Sequence, residues 1–128
     1  MARVLLYNIP PEKAVKIRLA AFRHGMSCVA VEPAAFSHPL GYLLGLAGYA
    51  PAPLSDESFR EEMLVMEAMN GAFLDELRAA RIPVALKAVV TPHNAAWSSL
   101  RLHEELQREH EAMRAAGRSV HKSAKRGK

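Results

Sequence analysis

The chain has 128 residues, half of them apolar and 23% charged, which suits one globular domain with a buried core. Its formal charge of +4 is localised: residues 117–128 hold five Lys/Arg and no acid, while residues 1–116 hold twelve Lys/Arg against thirteen Asp/Glu. The body is therefore slightly acidic and offers no basic surplus to grip a phosphate backbone, so nucleic acid is excluded as a partner except through the tail, which reads as a disordered basic end.

The lone Cys28 has no internal disulfide partner, which fits a reducing compartment, and it reads as a small hydrophobe rather than a nucleophile. The first residues do not form a signal peptide. The uncharged stretch from Pro33 to Ser55 is broken by prolines and glycines, so no membrane span is expected and the protein reads as cytoplasmic.

In chain order, Val4–Asn8 is an apolar run of strand length, stopped by Pro10 and Pro11. Pro11 suits a helix start with Glu12 behind it, and Pro11–His24 follows as a helix ended by Gly25. Its apolar set is Ala14, Val15, Ile17, Leu19, Ala21 and Phe22, with Lys13, Lys16, Ala20 and Arg23 towards solvent. Ser27–Glu32 is a second strand. An irregular segment follows, with a short helix at Leu40–Leu46, then a polar linker from Ser55 to Arg60.

Glu62–Glu67 reads as a third strand, and Asn70 caps a helix over Gly71–Arg81 that turns Phe73, Leu74 and Leu77 inward. Leu86–Val90 is the fourth strand, and Asn94–Ala116 a final helix with a stripe of Ala95, Leu102, Leu106 and Met113. This alternation predicts a single α/β domain over residues 1–116, with a four-stranded, mostly parallel sheet in the order β-α-β-(short α)-β-α-β-α. The alternative is a ferredoxin-like α+β fold in which two βαβ halves, residues 3–32 and 62–90, interleave. The first and fourth strands share a turn chemistry of polar residue, proline and helix start, which is too little to establish an internal duplication.

The stretch Leu86–Trp97, LKAVVTPHNAAW, concentrates hydrogen-bonding side chains and the only tryptophan at one strand-to-helix junction. Ligand sites of open α/β sheets gather at such places. If the first and last strands run the same way, Asn8, Glu32, Thr91, His93 and Asn94 meet at one rim, with Tyr42 and Trp97 as apolar walls. Glu67 ends a strand as well and joins Glu32 as a candidate carboxylate. Thr91 and Asn94 also suit simple capping, and Trp97 is expected to be covered by the Leu40–Tyr49 loop. In that loop Gly41 and Gly45 permit close approach but lack any phosphate-loop spacing. His103 and His110, seven residues apart without a carboxylate or thiol on their face, make too weak a set for a metal.

LLYNIPPEKAVKI, VEPAAFSHPLGYLLGLAGY and EEMLVMEAM with LDELRAARIPVALKAVVTPHNAAW together resemble the bacterial domain-of-unknown-function family DUF 3783, over roughly residues 3–111. The resemblance implies a compact bacterial cytoplasmic domain that stands alone. It implies no substrate, cofactor or catalytic residue.

The leading expectation is a non-catalytic domain binding a small polar or anionic ligand or a protein partner, with no cofactor or metal. One alternative is an acid–base enzyme using His93 with Glu32 or Glu67. Another is a homodimerising scaffold acting through Leu40–Tyr49 and the exposed side of the last helix.

Overall fold

Alternating apolar side chains along the first strand decide the layout. In β1 (Ala2–Tyr7), Val4 and Leu6 face one side of the sheet and Leu5 and Tyr7 the other, and all four are buried. A strand buried on both faces has to be central. β1 pairs parallel with β2 (Met26–Val31) and antiparallel with β3 (Met63–Met66), and β3 pairs parallel with β4 (Leu86–Val89). The order β2-β1-β3-β4 makes a mixed, mostly parallel sheet in a single α/β domain. The ferredoxin-like alternative does not form. Each βαβ half keeps its own strands adjacent, and within the sheet the halves meet only where β1 lies against β3.

The computed structural model describes residues 1–126, with side chains through Ala116, so the expectation of a disordered tail at 117–128 falls outside the described side chains. On one face of the sheet, α1 (Pro11–Arg23) and α3 (Gly71–Ala79) bury Ile17, Ala20, Ala21, Phe73 and Leu77 against Val4, Leu6, Leu64 and Met66. Asn70 caps α3 as expected, its Oδ1 accepting the Phe73 N–H at 3.0 Å. The solvent assignment of α1 needs correction. Ala20 is buried, whereas Val15, Leu19 and Phe22 remain 57%, 55% and 72% exposed. A straight helix touches a sheet along one stripe, and small Ala20 and Ala21 beside Ile17 let the α1 backbone come close there.

The opposite face carries Leu5, Tyr7, Met63 and Val65 under Phe36, Leu40, Leu44, Phe59 and Leu102. These come from a 3₁₀ turn at Pro33–Ala35, α2 (Leu40–Leu43), the irregular segment after it, and the start of α4 (Ser99–Arg126). The last helix begins at Ser99 rather than Asn94, because Ser98 is its cap: Ser98 Oγ accepts the Arg101 N–H at 3.1 Å. Of the expected stripe, Ala95 and Leu102 are buried and Leu106 packs on the core, but Met113 is exposed.

The two halves repeat one another about an approximate two-fold axis. Leu5 pairs with Val65, its equivalent sixty residues on, and the Arg3–Ser27 register of the first half recurs as Met63–Leu86 in the second. Val31-Glu32-Pro33 after β2 corresponds to Val90-Thr91-Pro92 after β4. On the axis Pro39 bridges Ser98, and two equivalent bonds cross reciprocally: Gly41 N–H to the Ala95 carbonyl at 2.8 Å, and Leu100 N–H to the Phe36 carbonyl at 3.3 Å. The likeness seen between the first and fourth strands in sequence thus belongs to a different pairing: β1 with β3, and β2 with β4.

Candidate functional site

Because β1 and β4 run in opposite directions, the single polar rim expected from the sequence is split in two. Asn8 and Glu32 end β1 and β2 at one edge of the sheet. Glu67, Thr91, His93 and Asn94 follow β3 and β4 at the other. Asn8 and Glu32 do share a cavity of about 240 Å3, with Leu6, Ile9, Ala30 and Val31 around them. Asn8, however, is committed to the fold. At φ 58° it donates its amide to the carbonyls of Phe59 at 2.8 Å and Glu61 at 3.0 Å, tying down the chain that leads into β3.

At the second rim the capping chemistry of Thr91 and Asn94 is turned inward on itself. Asn94 Oδ1 accepts the Thr91 N–H at 2.8 Å, Thr91 Oγ1 accepts the Asn94 N–H at 3.2 Å, and Asn94 Nδ2 donates to the Val89 carbonyl at 3.1 Å. This reciprocal box closes the turn that sends the chain back over the sheet. Glu67 is occupied as well, accepting the Arg3 backbone N–H at 3.1 Å. His93 is exposed, with its ring edge-on to Trp97 at 5.3 Å.

Trp97 lies on the bend before α4, so a helical wheel does not describe where it points. Its ring is flanked by His93 and by the Arg101 guanidinium, 4.3 Å from the ring centroid. The Leu40 region meets it through the backbone, Leu40 N–H donating to the Trp97 carbonyl at 2.8 Å. Tyr42 instead packs edge-on against His38 at 4.9 Å, and Tyr49 covers Gly41 so closely that a Cβ there would lie 2.5 Å from its ring. Tyr42 and Trp97 therefore do not form the two walls of one pocket around the other five candidate residues.

Chemistry that sequence reading missed lies across the halves. His103 stacks flat on Phe59, ring centroids 4.1 Å apart, with Nε2 2.7 Å from Glu61 Oε1. The bond from His103 holds the Glu61 carboxyl below its usual range. Between α1 and α3, Glu76 meets both Arg23 and His24, and the bond from Arg23 above all holds its carboxyl down. Neither pair has a spacing visible in the sequence, since each joins residues more than forty positions apart.

Tyr7 Oη and Ser99 Oγ share a buried hydrogen bond of 2.6 Å, and burial pushes the phenol well above its ordinary range despite that bond. Burial also raises the Cys28 thiol, opposed only in part by Arg18, which keeps it protonated and poorly nucleophilic. Among the described residues no group of three or more His, Cys, Asp or Glu is placed to hold a metal ion, and no helix is long and apolar enough to cross a membrane.

Sequence reading also missed the outward face of α1. At 100° per residue, Val15, Leu19 and Phe22 form a stripe opposite Ile17, Ala20 and Ala21. The i, i+4, i+7 spacing was available in the sequence, but both stripes merge into one apolar set until the sheet selects between them.

Residues 62–113 match the model of DUF3783, a domain of unknown function. The match begins just before β3 and runs through α3 and β4 into α4, so it covers the second half, including LKAVVTPHNAAW. It is narrower than the resemblance over residues 3–111, and the segments LLYNIPPEKAVKI and VEPAAFSHPLGYLLGLAGY lie outside it. No curated protein and no solved structure matches the chain.

Proposed function

We propose that this protein is a homodimerising scaffold whose contact surface is the outer face of α1. The observation behind this reading is the second apolar stripe, Val15, Leu19 and Phe22, more than half exposed on a helix whose opposite face is already buried. A surface helix ordinarily turns charged residues outward, and a contiguous apolar stripe there is a contact surface awaiting cover. The stripe spans two turns, about 10 Å of helix.

A second copy suits it, because two α1 helices related by a two-fold present the same stripe to each other, and cyclic dimers are the commonest closed assembly. Arg18 is drawn aside by its 2.9 Å bond to the Cys28 carbonyl, and Arg23 by Glu76, while Glu12 and Lys16 flank the stripe on its other side. The polar residues first read as a binding pocket serve the fold instead: Asn8, Thr91 and Asn94 hold turns, and Glu67 holds the start of β1.

Sedimentation equilibrium of the full chain tests the proposal. A dimer is expected, and Leu19→Glu converts it to a monomer whose thermal unfolding, at concentrations where both are monomeric, matches the native chain. A native chain that stays monomeric up to about 100 µM, or a Leu19→Glu chain that still dimerises, overturns it.

A further inference from the structure

The geometry points to a binding cavity between α3 and β4 for a small organic anion, a carboxylate or phosphate head carried on an apolar body. The cavity measures about 380 Å3, within the range of small-molecule sites. Leu74, Leu77, Ile82 and Pro83 supply apolar walls, and Arg78, Arg81 and Lys87 supply the polar ones. Three cations and no acid line this space, in a body whose acids outnumber its Lys/Arg.

Each cation is weakly committed. Arg78 meets Asp75 at 3.3 Å on an exposed flank, and the Lys87 ammonium reaches only the Val84 carbonyl at 3.5 Å. Arg81 makes no ion pair among the described residues. An adjoining cavity of about 270 Å3 is also bordered by Arg81 and Ile82, with Glu12, Lys13 and Lys16. There Lys13 is paired with Glu62 at 2.6 Å, and Glu12 balances Lys16 in formal charge, which leaves Arg81 as the surplus cation.

Local backbone structure fixes where Arg81 joins the cavity lining. After α3 the Ile82 N–H returns to the Leu77 carbonyl at 2.9 Å and the Arg81 N–H to Arg78 at 3.1 Å, a helix stop whose residue in the left-handed region is normally glycine. Arg81 occupies it at φ 57°, while the corresponding stop of the first half uses Gly25 at φ 72°. A guanidinium is thus held where the fold by itself favours no side chain. It is the group best shaped to take a carboxylate or phosphate through two parallel bonds.

The corresponding connection of the first half is shorter. There α1 runs to Arg23, β2 begins at Met26, and Arg18 closes onto the Cys28 carbonyl. In the second half α3 stops at Ala79 and β4 starts only at Leu86, a longer connection that buries Val84 in the core while Ile82 and Pro83 line the cavity.

Calorimetric titration of the full chain with octanoate, octyl phosphate, octylammonium and inorganic phosphate tests this. Saturable binding of octanoate or octyl phosphate is expected, the tighter of the two identifying the head group, with octylammonium at least tenfold weaker. Arg81→Gly should weaken binding about tenfold while leaving the melting temperature of the free protein unchanged or higher, which separates lost recognition from lost folding. Lys87→Gln should weaken binding in the same direction. Absence of saturable binding by either eight-carbon anion, equal binding of octylammonium, or an Arg81→Gly chain of unaltered affinity overturns the assignment. Inorganic phosphate binding as tightly as octyl phosphate overturns the role of the apolar walls.

Discussion

The two halves of this domain share one topology and differ in how each helix meets the sheet. The first half brings α1 in through alanines, leaves a complete apolar stripe outside, and stops the helix at a glycine. The second brings α3 in through Phe73 and Leu77, ends it early, and places an arginine where the glycine would be. The lesson is one of allocation. A repeated βαβ frame supplies the hydrogen bonds and central core twice, so each copy is free to vary at its helix surface and at its helix-to-strand connection. Those are the places where the proposed dimer face and the proposed anion cavity lie.

Several substitutions would break or sharpen that contrast. The largest effect is expected at Phe73, the bulky inner residue of α3: Phe73→Ala should cost about 3–5 kcal/mol in urea unfolding, because the rigid sheet cannot collapse into the void. Next comes the link across the halves. Ser99→Ala leaves the buried Tyr7 hydroxyl without its partner and should cost about 1–3 kcal/mol, whereas Tyr7→Phe added to Ser99→Ala should cost little more. An additive double mutant would show that the bond contributes nothing to coupling the halves.

The equivalent turns after β2 and β4 provide a smaller contrast. Asn94→Ala removes two bonds of the second turn and should cost about 0.5–2 kcal/mol, by analogy with lost caps, while Glu32→Ala in the first turn should stay within about 0.5 kcal/mol. The two helix stops should respond in opposite senses. Gly25→Ala forces a side chain into the left-handed region and should destabilise by about 1 kcal/mol, although the space around it is open, and Arg81→Gly should be neutral or stabilising.

The smallest effect concerns pH. Glu61 and Glu76 have carboxyls held below their ordinary value by His103 and Arg23 respectively, so their contribution is complete above the unfolded glutamate pKa of about 4.3 and is lost as pH falls through the lower folded values. Glu61 is exposed and Glu76 only half-buried, so the loss is modest. Denaturant midpoints measured on either side of pH 4 should show it, and Glu76→Gln should flatten the acid limb.

The sequence carried most of the local structure. Pro11 with Glu12 marked the start of α1, Asn70 marked the cap of α3, and the apolar runs marked four strands to within a residue or two. Each of these signals acts over a few neighbouring residues, through dihedral restriction or a single hydrogen bond. Where a competing local bond existed, the reading slipped: Asn94 looked like a helix start because its partnership with Thr91 resembles a cap, and the true cap was Ser98.

The relative direction of the halves was not local. β1 and β3 lie side by side because both are buried on two faces and share the centre of the sheet, but nothing within either strand specifies the antiparallel sense in which they meet. That one pairing separated Asn8 and Glu32 from Thr91 and Asn94. Residue identity determined which elements form and where they stop. Only packing of the whole chain decided which side chains became neighbours, since that choice rests on burying the most apolar surface across segments some sixty residues apart.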